Sequence, residues 1–397
     1  MTTPMTRMGE DLSAQAIGQG LLVAVVGYAS SVAIVIQGLV AVGASVGQVA
    51  SALVTVGFAL GIVAIALCWS LRMPIAIAWS TPGMALLATT GAAGGGFPAA
   101  VAAFIVVGAL IMLTALWRPL GRLVASIPKP IASAMLGGIL LKLCLAPFIA
   151  LAKLPWQAGA VLATWLVFLR LARGYAVPIA VAVALVAMSL DRPLAGAALA
   201  DLVPRLEFVT PEFTIEAMAN IAVPLFVVTM AGQNLPGLAV LSAYDYRPPV
   251  APLLLSTGAA SALGALFGMP TINLAAITAA LCAGPDAHAD PARRYIAGIS
   301  GGIGYMLLAA LSGVAALLVA RAQPVLIEAV AGLALIGAFG GAMLNAVQDE
   351  ADRLPGLITF LVTASGLAFF GVGSAFWGLA LGLIAHHLFA ARRKNAA

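Results

Sequence analysis

The chain has 397 residues, of which 63% are hydrophobic and only 8% are charged, and its net charge is +5. Because a soluble domain carries about 25% charged residues, this composition excludes a soluble enzyme or binding domain and predicts a helical protein that crosses a membrane many times. The positive charge does not indicate nucleic-acid binding, since the basic residues stand at the ends of apolar segments, where they set orientation.

The N-terminal stretch, residues 1–15, is polar. It lacks the apolar core and small-residue cleavage site of a signal peptide, so we expect a cytoplasmic tail. The first two apolar segments follow at about 16–40 and 49–70. The three cysteines of the chain lie in separate apolar segments without metal or disulfide spacing, which predicts inert buried thiols.

The third segment, residues 73–91, is apolar but does not have the pattern of a single helix. A proline followed by β-branched and aromatic residues as far as Trp79 favours an extended strand. Ser80, Thr81 and Pro82 then match a helix start, with a hydroxyl at the N-cap and proline at the first helical position. The helix that follows is roughly half the length of a membrane span. Its unpaired N–H groups and positive dipole end would therefore point into the middle of the membrane.

Four further segments complete the first half of the chain. Their expected bounds are 99–117, 131–149 with an interruption at Pro147, 156–171 and 177–190. A basic loop with Arg118, Arg122 and Lys129 follows the first of them. The most polar internal region, 191–216, then divides the chain into two halves.

The second half repeats this plan. Its expected segments are 217–241, 251–267, 270–284, 295–312, a fragmented segment over 314–320 and 326–347, then 357–370 and 375–389. The third of these opens with the same Met-Pro pair as the third segment of the first half, and it predicts a second strand followed by a short helix that ends at Gly284. Two short, proline-interrupted segments in corresponding halves indicate the binding site of a transporter. The alternative is that each is an ordinary helix with a proline kink.

Seven segments in each half predict two inverted repeats, 16–190 and 217–390, joined by a periplasmic linker over 191–216. The distribution of basic residues agrees with this topology. With a cytoplasmic N-terminus, fourteen of the 19 lysines and arginines fall on the cytoplasmic side, as the positive-inside rule requires. We therefore expect a multi-pass protein of a bacterial-type inner membrane with both termini in the cytoplasm.

Four long stretches of the sequence resemble the BenE family of benzoate/proton symporters. They are Met73–Gly83, Val223–Leu241, Gly268–Gly284 and Asp290–Tyr295. The resemblance extends over nearly the whole chain. It implies the fold of nucleobase transporters and sulfate permeases, an all-α membrane fold with fourteen segments in 7+7 inverted repeats, in which segments 3 and 10 are a short strand plus a half-helix.

The same resemblance implies a core domain, 16–117 plus 217–312, that moves against a gate domain, 131–190 plus 314–390. It implies import of benzoate or a similar aromatic carboxylate with protons through the lipid bilayer. No enzyme activity, cofactor or metal is expected, and the oligomeric state is left open, with a homodimer as one alternative. The competing interpretations are another small anion such as sulfate, a nucleobase such as uracil, or an anion channel on the same fold.

A benzoate-like ligand combines a flat apolar ring with one carboxylate. Two facing half-helix starts suit such an anion without a buried basic side chain. The candidate substrate-binding residues are Tyr28, Trp79, Ser80, Thr81, Gly83, Gln233, Asn234, Asn273, Ala276, Ile277 and Thr278. Several of them also have a structural interpretation, namely helix capping for Ser80 and Thr81 and helix–helix contact for Gln233 and Asn234.

The eighth segment carries the neutral amides Gln233 and Asn234 where related nucleobase transporters carry an acidic residue. Neutral donors suit a carboxylate, because they bring no like charge near it. No Asp, Glu or His falls clearly at a mid-membrane position of the expected core. The proton would therefore travel on the substrate or on a peripheral acid, and proton symport is implied by the resemblance alone.

Overall fold

Apolar helices make up most of the molecule. The computed structural model describes residues 11–91, 94–172, 175–191, 205–275, 278–313, 323–367, 369 and 373–396. Within them, six helices are long and apolar enough to cross a membrane. The first helix makes a seventh if its two parts, Ala14–Ala29 and Ser31–Ala41, which meet at 41°, form one span. The all-helical membrane fold is as predicted, whereas the count of fourteen segments stays a prediction.

The described part of the first half contains eight helices and one strand. They are α1 (Ala14–Ala41), α2 (Val46–Leu71), β1 (Ile77–Trp79), α3 (Thr81–Thr90), α4 (Gly96–Leu116), α5 (Arg118–Ala125), α6 (Lys129–Lys153), α7 (Pro155–Leu171) and α8 (Ala176–Asp191).

The described part of the second half contains seven helices and one strand. They are α9 (Ile215–Ala243), α10 (Val250–Gly264), β2 (Ile272–Leu274), α11 (Ala279–Ala283), α12 (Tyr295–Ala309), α13 (Pro324–Val347), α14 (Arg353–Ala364) and α15 (Ser374–Ala396). Two turns of α9, Met218–Ala222 and Met230–Asn234, are π-helical.

The third and tenth segments are broken, as the sequence predicts. The third runs as β1 into α3, and the tenth runs as β2 into α11. Neither is a continuous spanning helix. Each short helix therefore starts at the end of a strand inside the protein.

The predicted interruption of the fifth segment at Pro147 is wrong, because α6 continues through this proline from Lys129 to Lys153. A proline cannot donate to the carbonyl oxygen four residues earlier, which here belongs to Leu143. Gly332 of α13 lies against this point, and a Cβ there would collide with the Leu143 carbonyl oxygen and lie 2.7 Å from Pro147 Cδ. Close packing of α13 at Gly332 thus covers the proline inside the bundle.

Other boundaries also differ from the prediction. The basic loop contains the helix α5, in which Arg118 and Arg122 are four residues, or about one helical turn, apart in the sequence. The thirteenth segment ends at Ala364, since the chain turns at Gly366 with a φ of +68°. The second part of segment 12 begins at Pro324, and residues 314–320 lie outside the described part of the chain.

The helices pack in two sets. The first helix set is α1–α4 with α9–α12, in which α12 packs on α1 and α2 and α10 packs on α4. The second helix set is α6–α8 with α13–α15, in which α6 packs on α13 and α14. The sets meet where α13 contacts α1 and α6 contacts α3.

Contact between α4 and α10 depends on facing glycines. A Cβ on Gly108 would lie 2.7 Å from both the Gly258 carbonyl oxygen and the Ala262 nitrogen. A Cβ on Gly337, in contrast, would meet no atom within 4 Å. Small residues of this kind allow helix backbones to approach closely in membrane proteins.

We predict that Gly108→Ala lowers the thermal stability of the purified protein in detergent, because the added methyl group pushes α4 away from α10. Gly337→Ala is the matched control and should leave stability equal or higher, since alanine is the better helix former by roughly 0.5–1 kcal/mol. The measurement is the melting temperature of both variants. Equal melting temperatures for the two would contradict the packing argument.

Candidate functional site

The two strands lie side by side within the first helix set. The strand pair and the residues that flank it, 76–80 and 271–275, are called the crossover below. The strands pair antiparallel, with Ile77 opposite Leu274, Ala78 opposite Asn273 and Trp79 opposite Ile272. The ladder continues at both ends, where Ser80 N–H donates to the Thr271 carbonyl at 3.2 Å and Ala275 N–H donates to the Ala76 carbonyl at 2.9 Å. Extended backbone inside a membrane protein is tolerated only where it is covered by protein or lines a cavity. Here the strands satisfy the backbone groups on their shared edge, and Ser261 and Asn234 side chains accept from N–H groups on the outer edge of β2.

The start of α3 is capped by Ser80. Its side chain is fully buried, and Ser80 Oγ accepts a hydrogen bond from Gly83 N–H at 3.2 Å. Pro82 follows as the second helical residue and brings no N–H group. The hydroxyl group of Thr81 has no hydrogen-bond partner within the described residues. The amino end of α3 thus offers a ligand the positive end of the helix dipole and the Thr81 hydroxyl group.

The start of α11 is less fully capped. Thr278 is its N-cap residue, but its side chain makes no capping hydrogen bond. The far end of α11 is closed by the buried Arg294, whose Nη1 donates to the Ala283 carbonyl at 2.7 Å, a favourable charge at a helix C-terminus. The candidates Ala276 and Ile277 lie outside the described residues.

Antiparallel pairing decides to which end of the ribbon each short helix is connected. Because α3 follows β1 and α11 follows β2 in the chain, the two short helices are connected to opposite ends of the antiparallel ribbon. The ribbon between the Ser80 and Ala76 levels is about 13 Å long at about 3.3 Å per residue. Both amino ends are therefore directed towards the crossover.

Helix α9 holds the crossover through two polar side chains. Thr229 Oγ1 donates to Ser80 Oγ at 3.0 Å, and Asn234 Oδ1 accepts from Leu274 N–H at 3.0 Å. Thr229 and Asn234 are fully buried. Asn234 belongs to a π-helical turn, and such turns are frequent at functional sites. The same helix packs Leu225 against Gly83, where a Cβ would collide with the leucine side chain.

Asn273 also contributes to the crossover. With its amide oriented to match neighbouring donors and acceptors, Oδ1 accepts from Ser80 N–H at 3.0 Å and Nδ2 donates to the Leu274 carbonyl at 2.9 Å. Its side chain is fully buried. Both amide groups are therefore used within the protein.

Three aromatic side chains form a wall beside the start of α3. Trp79 lies edge-on to Tyr28 of α1 and to Tyr305 of α12, with ring centroids 5.4 Å and 6.0 Å apart. Trp79 Nε1 donates to Ser31 Oγ at 2.9 Å, which fixes the indole. Sequence reasoning missed Tyr305, because nothing in the spacing of α12 relates it to residues more than 200 positions earlier.

Four candidate residues keep polar groups that the described protein does not use. The Tyr28 hydroxyl is buried without a hydrogen-bond partner. Gln233 is 7% exposed, and its amide makes no hydrogen bond within the described residues. Thr81 and Thr278 have the free hydroxyl groups described above. The Tyr28 hydroxyl is buried, and a buried polar group without a partner is costly, so this hydroxyl can bind a ligand at little further cost.

The predicted residues thus fall into two sets. Ser80, Asn234 and Asn273 use their polar groups to hold the crossover, as does Gly83 N–H, and Trp79 uses its indole N–H to bind Ser31 of α1. Tyr28, Thr81, Gln233 and Thr278 retain donors. None of these donors is charged, so the arrangement can bind an anion through hydrogen bonds and the dipole of α3.

One protein family matches this sequence over nearly the whole chain. A family profile described as benzoate membrane transport protein matches residues 10–388. The inner membrane protein YdcO of Escherichia coli strain K12 is 39% identical over 364 residues, covering 91% of this chain and 93% of that protein. A benzoate membrane transport protein of Acinetobacter baylyi is 34% identical over 394 residues, covering 98% of both.

Solved structures show a shared fold at low sequence identity. The transmembrane domain of the cyanobacterial bicarbonate transporter BicA superposes with a TM-score of 0.55 at 15% identity, covering 95% of this chain and 97% of that domain. The murine solute carrier 26 family member A9 anion transporter in its inward-facing state superposes with a TM-score of 0.54 at 12% identity. The match covers 92% of this chain and 68% of that protein. The chain therefore shares the overall fold of these transporters.

The adjacent amides Gln233 and Asn234 allow a matched test of the two sets. We predict that Asn234→Leu lowers thermal stability, because it leaves the buried Leu274 N–H unpaired, at a cost of about 1–3 kcal/mol. Gln233→Leu should change stability by less than about 0.5 kcal/mol. Melting curves of the ligand-free variants make the comparison, and a Gln233 variant that is the less stable of the two would refute the assignment.

Proposed function

This chain belongs to the benzoate membrane transport protein family, and we propose that it imports benzoate or a similar aromatic carboxylate together with protons by alternating access. Family and fold already make it a membrane anion transporter. The choice of anion, the site and the coupling are our proposal. One observation carries it: a buried Tyr28 hydroxyl without a partner beside an aromatic wall at the start of α3.

The aromatic wall suits the ring of the substrate. Tyr28, Trp79 and Tyr305 already pack edge-to-face, a geometry in which aromatic rings attract one another beyond simple burial. We propose that a benzoate ring adds to this group. A small inorganic anion such as bicarbonate would gain nothing from these rings, which is why we favour an aromatic acid.

The carboxylate would be bound by neutral donors. We propose the hydroxyl groups of Tyr28, Thr81 and Thr278 and the amide of Gln233 for this role, since each has a free donor. Hydrogen bonds to a charged acceptor are roughly twice as strong as neutral ones. The positive end of the α3 dipole, equivalent to about half an elementary charge, adds to this attraction. A buried lysine or arginine is then unnecessary, and release of the anion stays easy.

Alternating access would use the two helix sets. We propose that the first set, which contains the crossover, is the core domain and that the second set is the gate domain. The packing supports this division, because the extensive helix contacts lie within each set. We also propose that both termini face the cytoplasm, from the distribution of lysine and arginine.

Tyr28→Phe tests the anion site directly. We predict that it weakens benzoate binding by about 10- to 100-fold, the effect of losing a hydrogen bond to a charged group. The ligand-free variant should be as stable as the wild type or more stable, because an unpaired buried hydroxyl is removed. Benzoate-dependent thermal shifts and the uptake KM measure the first effect. The melting temperature without benzoate measures the second.

Tyr246→Phe is the matched control. The Tyr246 hydroxyl donates to the Pro291 carbonyl at 2.8 Å in a loop, so this variant should lose a little stability and keep the wild-type KM. Equal benzoate affinity in Tyr28→Phe and the wild type would remove Tyr28 from the site.

Proton coupling predicts accumulation driven by a pH gradient. Proteoliposomes with an acidic exterior should take up labelled benzoate at an initial rate above the passive level, and a protonophore should abolish the excess. Empty liposomes give the passive level, because the neutral acid crosses lipid unaided. An anion channel would dissipate a benzoate gradient without concentrating the anion. Uptake of bicarbonate, sulfate or uracil without any benzoate uptake would overturn the substrate assignment.

A further inference from the structure

The π-helical turn Met218–Ala222 of α9 lies between the two helix sets. It packs on α3 and α4 of the first set and also contacts α15 of the second set. Its middle residue, Asn220, is 8% exposed. A π turn inserts an extra residue into a helix and is frequently found at functional sites. Here it brings a polar side chain to the boundary between the sets.

Asn220 forms a hydrogen bond across this boundary. Gly373 N–H donates to Asn220 Oδ1 at 2.6 Å, over a sequence separation of 153 residues. Gly373 directly precedes α15, and the next residue, Ser374, donates through Oγ to the Thr363 carbonyl of α14 at 2.8 Å. The bond therefore joins α9 to the α14–α15 pair, whereas the hydrogen bonds of the crossover stay within the first set.

We propose that the Asn220–Gly373 hydrogen bond is a latch that holds the two helix sets together at this end of the molecule and opens in every transport cycle. The proposal rests on alternating access between the sets, as proposed above. In the proposed orientation this is the periplasmic end, where residues 205–214 precede α9.

The latch is coupled to the substrate site through α9. The same helix carries Thr229 and Asn234, which bind the start of α3 and strand β2. A movement of α9 away from α15 therefore carries the crossover with it. Asn220 is thus a positioning residue that acts on the site through α9, without contact to the substrate.

The strength of one hydrogen bond suits a reversible latch. Its net contribution to an equilibrium is typically about three- to tenfold. Removing it should shift the two sets towards the open state at this end by the same factor. Opening would expose the Gly373 N–H to water, which can replace the asparagine as acceptor.

Four substitutions test the latch from both sides. Asn220→Leu removes the acceptor and Asn220→Asp keeps one. Gly373→Pro removes the donor and Gly373→Ala keeps it, with room for the methyl group, since a Cβ there would lie 3.6 Å from Asn220 Oδ1. The reporter is Ala375→Cys at a position that is 7% exposed within the main hydrophobic cluster. The buried native cysteines are first replaced by alanine; they are Cys68, Cys144 and Cys282.

The measurement is the rate at which a membrane-impermeant maleimide labels the reporter in cells. We expect Asn220→Leu and Gly373→Pro each to raise the rate about three- to tenfold. Their combination should label no faster than either alone, because both remove the same bond. Asn220→Asp and Gly373→Ala should label at the wild-type rate, and the uptake KM should shift in the first pair and be restored in Asn220→Asp.

Labelling at the wild-type rate in both Asn220→Leu and Gly373→Pro would overturn the latch, as would equal acceleration by all four substitutions. If one of the disrupting variants fails to fold, the other still decides. Labelling needs no substrate, so failure of benzoate transport would leave this test intact, and the two proposals can fail separately.

Discussion

Backbone polarity in a low-dielectric interior is the constraint on which this structure depends. Two stretches of extended chain lie at the centre of the helix bundle, where an unpaired N–H or carbonyl group is costly. The antiparallel ribbon of β1 and β2 satisfies the groups that face each other, and Ser261 Oγ accepts from Ile272 N–H at the outer edge. Ser80, Asn234 and Asn273 satisfy groups at or beside its ends. The polar side chains of the crossover are therefore first of all a solution to this problem.

A binding site can arise only from what remains after that solution. Ser80 and Asn273 at the crossover are fully engaged, whereas the Tyr28 hydroxyl, the Gln233 amide and the Thr278 hydroxyl at the start of α11 keep free donors. Donors held by a rigid surrounding network lose little freedom when a ligand arrives. Because they are neutral, they would bind an anion without the desolvation penalty of a buried ion pair.

Helix α9 relates the crossover to the rest of the molecule. Its two π-helical turns each carry a polar side chain that contacts another element, Asn234 towards β2 and Asn220 towards the start of α15. A regular helix would direct these residues elsewhere, since one extra residue in a turn rotates everything beyond it. The likeness to solved transporters at 12–15% identity shows that very different sequences adopt this fold.

Much of the fold could be predicted from the sequence alone, through the local chemistry of its residues. Apolar segment lengths predict the spans, and Ser80 with Pro82 predicts the start of α3. The site was only partly readable in this way. Which of the adjacent amides Gln233 and Asn234 is free, the place of Tyr305, and the continuity of α6 through Pro147 were decided by tertiary contacts. The reason is physical: each depends on partners 40 to more than 200 residues away, and local periodicity carries no information about which distant donor meets which acceptor.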